Sequence, residues 1–144
     1  MKLKFWIIFG VILLILALAA IGYQKAISGT LKEKNPKIEI SPLSFDFGEV
    51  PFGTIAKKTF QIKNSGDEIL EINRVSTSCS CTTAKISKEK LNPGESTDLL
   101  VTYDTAAMGS GAHGTGQQER IIYIRSNDPI NPQIETTIKA FVKK

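Results

Sequence analysis

Ile55-Ala56-Lys57-Lys58-Thr59-Phe60-Gln61-Ile62-Lys63-Asn64-Ser65-Gly66-Asp67 is the stretch that decides the fold class. Phe60 and Ile62 share one side of an extended chain, and Thr59, Gln61 and Lys63 share the other. A period of two with one apolar and one polar side predicts a half-buried strand. Asn64-Ser65-Gly66-Asp67 then supplies residues that favour a reversal. The same texture recurs outward in the chain. Leu99, Val101 and Tyr103 alternate with Leu100 and Thr102; Ile134, Thr136, Ile138 and Ala140 alternate with Glu135, Lys139 and Phe141. Strands are predicted at Lys37–Ile40, Ser44–Phe47, Ile55–Lys63, Glu68–Val75, Thr82–Ile86, Ser96–Asp104, Arg120–Ser126 and Gln133–Val142. Ser41-Pro42, Pro51-Phe52-Gly53, Asn92-Pro93-Gly94 and Asn127-Asp128-Pro129 punctuate them. One wet and one dry face per strand implies two sheets packed together. The expected fold is all-β, an immunoglobulin-like antiparallel sandwich of roughly seven or eight strands.

Ahead of that domain, Phe5 to Ile21 runs almost without a polar residue. A helix rises about 1.5 Å per residue, so roughly 20 apolar residues cross a hydrocarbon core of about 30 Å. Trp6 and Tyr23 stand near the two ends, where interfacial aromatics belong. Lys2 and Lys4 precede the run and orient the N-terminus to the cytoplasm. The expected organisation is a cytoplasmic stub over residues 1–4, one transmembrane α-helix over 5–23, a polar linker over 24–36, and an extracytoplasmic domain over 37–144. Cleavage competes with anchoring, because Ala17-Leu18-Ala19 has the small-x-small form of a processing site. The apolar run exceeds the usual signal core of about 7–15 residues, which favours the uncleaved anchor over secretion. No cysteine follows the run, which excludes a lipoprotein anchor.

Charge excludes one class of partner. Every acid lies beyond the apolar run, where 16 basic residues face 14 acidic ones for a net of +2. So small an excess gives no basic footprint for nucleic acid. Gly109-Ser110-Gly111-Ala112-His113-Gly114 matches the dinucleotide pattern by letter. That pattern needs a helix N-terminus behind it, and Arg120-Ile121-Ile122-Tyr123-Ile124 reads as a strand, so nucleotide binding is not expected. One histidine and no Gly-x-Ser-x-Gly elbow leave catalysis without a constellation, and the chain reads as non-enzymatic.

Cys79 and Cys81 are the residues with chemistry. One residue separates them, so an extended backbone would point both sulfurs to one face. Three fates stand open: reduced thiols packed as small hydrophobes, a labile disulfide in an oxidising exterior, or a pair of thiolates on a soft ion, for which Cu(I) is the natural candidate. A two-sulfur site is incomplete for most metals. His113 and Met108, in the Gly-rich loop Thr105–Gln118, are the further candidate ligands.

Phe45-Asp46-Phe47-Gly48-Glu49-Val50 with Gly53-Thr54, Phe60-x-Ile62-Lys63-Asn64-Ser65-Gly66, and Ser78-Cys79-Ser80-Cys81-Thr82-Thr83 carry a resemblance. Leu91-Asn92-Pro93-Gly94-Glu95 and Ser126-Asn127-Asp128-Pro129-x-x-Pro132 extend it. In this order they resemble the bacterial domain-of-unknown-function family 1573, over about Ile38 to Val142. That family is similar in fold to major-sperm-protein and cilia-associated immunoglobulin-like domains. The resemblance implies an extracytoplasmic binding or scaffolding module with no established reaction. The loop Thr105–Gln118 is longer and richer in Gly than the family pattern. The functional expectation is therefore a membrane-anchored module of the cell envelope that binds a protein, held to the membrane by residues 5–23. A copper-handling or redox protein using Cys79 and Cys81 is the alternative.

Overall fold

Alternating sequence becomes nine strands in the computed structural model, which describes Trp6 and residues 10–20, 34–111 and 113–144. They are β1 (Ile38–Ser41), β2 (Ser44–Pro51), β3 (Ile55–Asn64), β4 (Leu70–Thr77), β5 (Thr82–Ile86), β6 (Lys90–Leu91), β7 (Ser96–Asp104), β8 (Gly116–Ser126) and β9 (Gln133–Lys143). One sheet runs β1-β3-β7-β5 and the other β2-β9-β8-β4-β6. The faces fall as the alternation requires. Phe60, Ile62, Leu99, Val101 and Tyr103 from the first sheet meet Ile122, Ile124, Ile138, Ala140 and Val142 from the second, all of them buried. Each large apolar side chain removed from water contributes about 1.5–3 kcal/mol, so this layer dominates the stability.

Four features depart from the sequence reading. The first is β6, which was not expected. It is a two-residue strand pairing Leu91 with Leu70. The second concerns the sandwich, which is not wholly antiparallel, because β2 runs parallel to β9. The turn at Ser41-Pro42 carries the chain from one sheet to the other, so β2 cannot form a hairpin with β1. It joins a sheet edge far along the chain, where either direction is open. The third is the length of β2, which continues to Pro51 past a bulge between Asp46 and Glu49. The fourth is β8, which starts at Gly116, four residues before the expected Arg120. Gly116 to Glu119 pair with Val142 to Lys139 and so lengthen the central ribbon into the expected loop.

Two buried polar residues hold the turns. Asn64 donates to the carbonyls of Glu68 (2.7 Å) and Leu91 (3.0 Å) and accepts from Gly66 N–H (3.0 Å) and Lys37 N–H (3.3 Å). Asp128 accepts from Ile38, Ile130 and Asn131 N–H groups at 2.9, 2.8 and 3.0 Å. Asn92-Pro93-Gly94 makes the expected tight turn: Glu95 N–H reaches the Asn92 carbonyl at 3.0 Å, and Gly94 takes a φ of 80° that favours glycine.

The compact β unit runs Lys34–Lys144, which includes the last three residues of the expected linker. Trp6 and residues 10–20 are helical. Trp6, the run Val11 to Leu16, and Leu18 leave half or more of their surface open. Among the described residues no helix is long and apolar enough to cross a membrane. The expected span 5–23 includes residues 5, 7–9 and 21–23, which lie outside the described residues, as do the stub 1–4 and linker residues 24–33.

Candidate functional site

Cys79 and Cys81 lie in the turn that carries the chain from β4 in one sheet to β5 in the other. The extended backbone expected across them is instead a tight turn, because the chain must reverse within four residues. Their Cα atoms stand 5.3 Å apart and the sulfurs form a disulfide. Both sheets grip the turn. Asp104 of β7 donates its N–H to the Cys81 carbonyl at 2.9 Å. Ser78 exchanges two bonds with Ile121 of β8, at 2.9 and 3.0 Å. The Thr77 hydroxyl reaches the carbonyls of Cys79 (3.0 Å) and Thr82 (2.8 Å). Seven residues from four strands and the turn thus fix where the sulfurs sit.

The two sulfurs have unlike surroundings. Cys81 is 2% exposed and belongs to the core, while Cys79 is half-buried at its margin. Cys79 lines a solvent-open cavity of about 430 Å³ with Ser78, Met108, His113, Gln117, Gln118, Glu119 and Arg120. The loop between β7 and β8 forms the far wall through successive turns. Asp104 accepts Ala106 N–H at 2.9 Å, Gly109 N–H reaches the Ala106 carbonyl at 2.9 Å, and Thr115 N–H reaches the Gly111 carbonyl at 3.0 Å. A Cβ on Gly114 would stand 1.8 Å from the Gly109 carbonyl oxygen, so only glycine closes this loop.

Arg120 joins the loop to the disulfide. Its Nε–H points at Cys81 Sγ from 3.1 Å. Nη2 donates to Gln118 Oε1 (2.6 Å) and the His113 carbonyl (3.2 Å), and Nη1 donates to the Glu119 carbonyl (2.7 Å). The guanidinium also lies 5.7 Å from the centre of the Tyr103 ring. Burial raises the Tyr103 phenol above its usual range, against the pull of Arg120. Among the described residues, no carboxylate forms an ion pair with this half-buried cation. The Thr82 hydroxyl completes the surroundings at 3.6 Å from Cys79 Sγ and 3.7 Å from Cys81 Sγ.

Of the four sequence-predicted site residues, Cys79, Met108 and His113 share the cavity and Cys81 lies behind it. No group of three or more His, Cys, Asp or Glu side chains converges on a metal position among the described residues. Sequence reasoning missed Arg120 and Thr82. A signal for Arg120 was present: it stands in period-two register with the buried Ile122 and Ile124, an inward position that a charged residue takes only for a partner.

The family described as protein of unknown function (DUF1573) matches residues 38–142. The chain belongs to it. A family member's fold is also found in solved structures. A protein of unknown function from Porphyromonas gingivalis W83 is 27% identical with a TM-score of 0.67, over 78% of this chain and 50% of that one. This chain thus spans half the length of that relative. PapD-like domain 7 of human CEP192 aligns over 81% of this chain and 92% of its own, at 11% identity and TM-score 0.56. The E. coli chaperone DraB aligns over 75% and 55%, at 12% identity and TM-score 0.51. The last two share the immunoglobulin- and PapD-like sandwich. No curated protein matches the chain.

Proposed function

We propose that this DUF1573 protein is a non-enzymatic binding or scaffolding module, held at the outer face of a bacterial cytoplasmic membrane by its N-terminal helix. The observation that carries the proposal is the helical run at 10–20, whose large apolar side chains are half or more exposed. Such a surface costs about 25 cal/mol per Å² in water, and lipid removes that cost. The sandwich, by contrast, has closed its own core and has no need of a membrane. A protein partner fits the fold, which a chaperone shares. The end strands β1 and β5 of one sheet offer edges for strand addition, and the loops at the disulfide end offer a second surface. For the test, a reporter active only outside the cytoplasm is fused after Lys144 of the full chain, and membranes are extracted at alkaline pH. The expected result is an active reporter that stays in the membrane pellet. A mature chain that begins near Ala20 and washes off would overturn the anchor.

A second reading, copper handling, has one observation in its favour: Cys79, Met108 and His113 line one cavity. It requires the reduced pair. The reduced full chain should then take up about one Cu(I), lose tight binding in Cys81→Ser, and weaken as acid protonates the ligands. Absence of Cu(I) uptake by the reduced chain would remove this reading and leave the binding module in place.

A further inference from the structure

The disulfide end of the domain holds an asymmetry that packing does not require. One sulfur faces an open cavity and the other is buried against a guanidinium. A neutral disulfide gains little from a cation at 3.1 Å, whereas a thiolate there gains a charge-assisted hydrogen bond. Arg120 has its other N–H groups held by a side-chain amide and two carbonyls, so the fork is fixed before any charge forms. No carboxylate neutralises it among the described residues. We propose that Cys79–Cys81 is a thiol–disulfide exchange site in which an incoming thiolate attacks Cys79 and Arg120 receives the Cys81 thiolate.

The exchange balances as follows. A thiolate of a dithiol enters the cavity and attacks Cys79 Sγ from the side opposite Cys81. A sulfur–sulfur bond forms between them, the Cys79–Cys81 bond breaks, and its electron pair leaves on Cys81 Sγ beside Arg120 Nε–H. The second thiolate of the dithiol then attacks its own partner sulfur in the mixed disulfide. That step releases Cys79 as a thiolate, which takes up a proton from water, with the Thr82 hydroxyl as a neighbouring donor at 3.6 Å. The dithiol is oxidised by two electrons and the Cys79–Cys81 pair is reduced by the same two. A low-pKa leaving thiol departs faster and stabilises the reduced state, so Arg120 raises both the rate and the extent of reduction. The cavity of about 430 Å³ admits a side chain of the dithiol's size, and its wall of Gln117, Gln118 and Glu119 is polar. The exchange needs neither the anchor nor a metal ion, although the pair it reduces is the one the Cu(I) reading would use.

The test uses the full chain and two probes. Dithiothreitol should reduce the wild-type disulfide about tenfold faster than that of Arg120→Gln, and the equilibrium should shift by about tenfold toward the disulfide in the variant. Arg120→Lys, which keeps the charge, should recover most of both losses, a rescue that a purely packing role for the side chain would not give. An aromatic disulfide, 5,5′-dithiobis(2-nitrobenzoate), should label Cys79 in Cys81→Ser at least about tenfold faster than Cys81 in Cys79→Ser. These two variants leave Arg120 untouched, so the access of each sulfur to an outside reagent, which decides where a thiolate can attack, is read even where Arg120→Gln fails to fold. Equal labelling rates, or an unchanged rate and equilibrium in Arg120→Gln, would overturn the proposal.

Discussion

Asp128 shows how one side chain can tie a strand's start to a distant turn. It is 1% exposed, yet it holds the N–H of Ile38, at the beginning of β1, together with those of Ile130 and Asn131. Burial alone would raise its pKa. The backbone donors of Asn131, Ile38 and Ile130, with Lys37 nearby, outweigh that and hold the carboxyl below its usual value. The sign follows from linkage. A carboxyl depressed in the folded state adds stability that is fully present above the unfolded value of about 3.9, and this is lost as pH falls through the folded value. Asp128→Asn should therefore lower stability by about 1–3 kcal/mol at neutral pH, because its amide presents a donor where one of three donors now points. In denaturant titrations the difference from wild type should narrow as the pH falls below 4. Asn64→Leu should cost a similar amount or more at every pH, since Asn64 does not titrate and four backbone groups lose their partner. A flat difference for Asp128→Asn across that range would show that its charge is not what matters.

At the scale of elements, the legible parts were those whose length exceeded the period. β5 and β7 fall where the alternation put them, because five and nine residues give enough repeats to fix the phase. β6 was invisible for the opposite reason: two residues cannot show a period, yet Leu91 is fully buried between β4 and Asn64's bonds. Leu91→Ala should thus cost about 2–5 kcal/mol, as much as Leu99→Ala, while Leu100→Ala on the open face of β7 should stay within about 0.5 kcal/mol. Chemical denaturation of the three variants checks this order. The site was half legible. The cysteine pair and the loop residues Met108 and His113 were found by residue type, and they do share a cavity. Arg120 escapes the alternation because it stands at the first position of the predicted strand, where no preceding repeat fixes its inward phase relative to Ile122. The turn at Cys79–Cys81 was missed because periodicity says nothing about a reversal that lacks Pro and Gly. The loop itself is braced, not slack. Gly114→Ala would drive a Cβ into the Gly109 carbonyl, and should cost about 1–3 kcal/mol and free the Arg120 side chain from the His113 carbonyl.

For the whole molecule, the question is whether residues 34–144 hold a fold by themselves. Both sheets contribute to one continuous buried layer, and strands distant in sequence are neighbours in it: β3 beside β7, β2 beside β9. No part of that layer can open without exposing the rest, which is the physical basis of a single transition. The ends of the unit reinforce this. Asp67 N–H bonds to the Asn35 carbonyl at 3.0 Å, and Phe52 N–H to the Lys143 carbonyl, so both termini of the unit are stitched to its interior turns. A fragment from Lys34 to Lys144 should be soluble without the apolar segment, give a β-rich circular dichroism spectrum, and unfold in one step by two independent probes. Starting the fragment at Lys37 instead should lower its midpoint, because the Asn35 carbonyl leaves Asp67 N–H without that bond. Substantial helix in the fragment, or transitions that differ between fluorescence and circular dichroism, would show that the sandwich is not one cooperative unit.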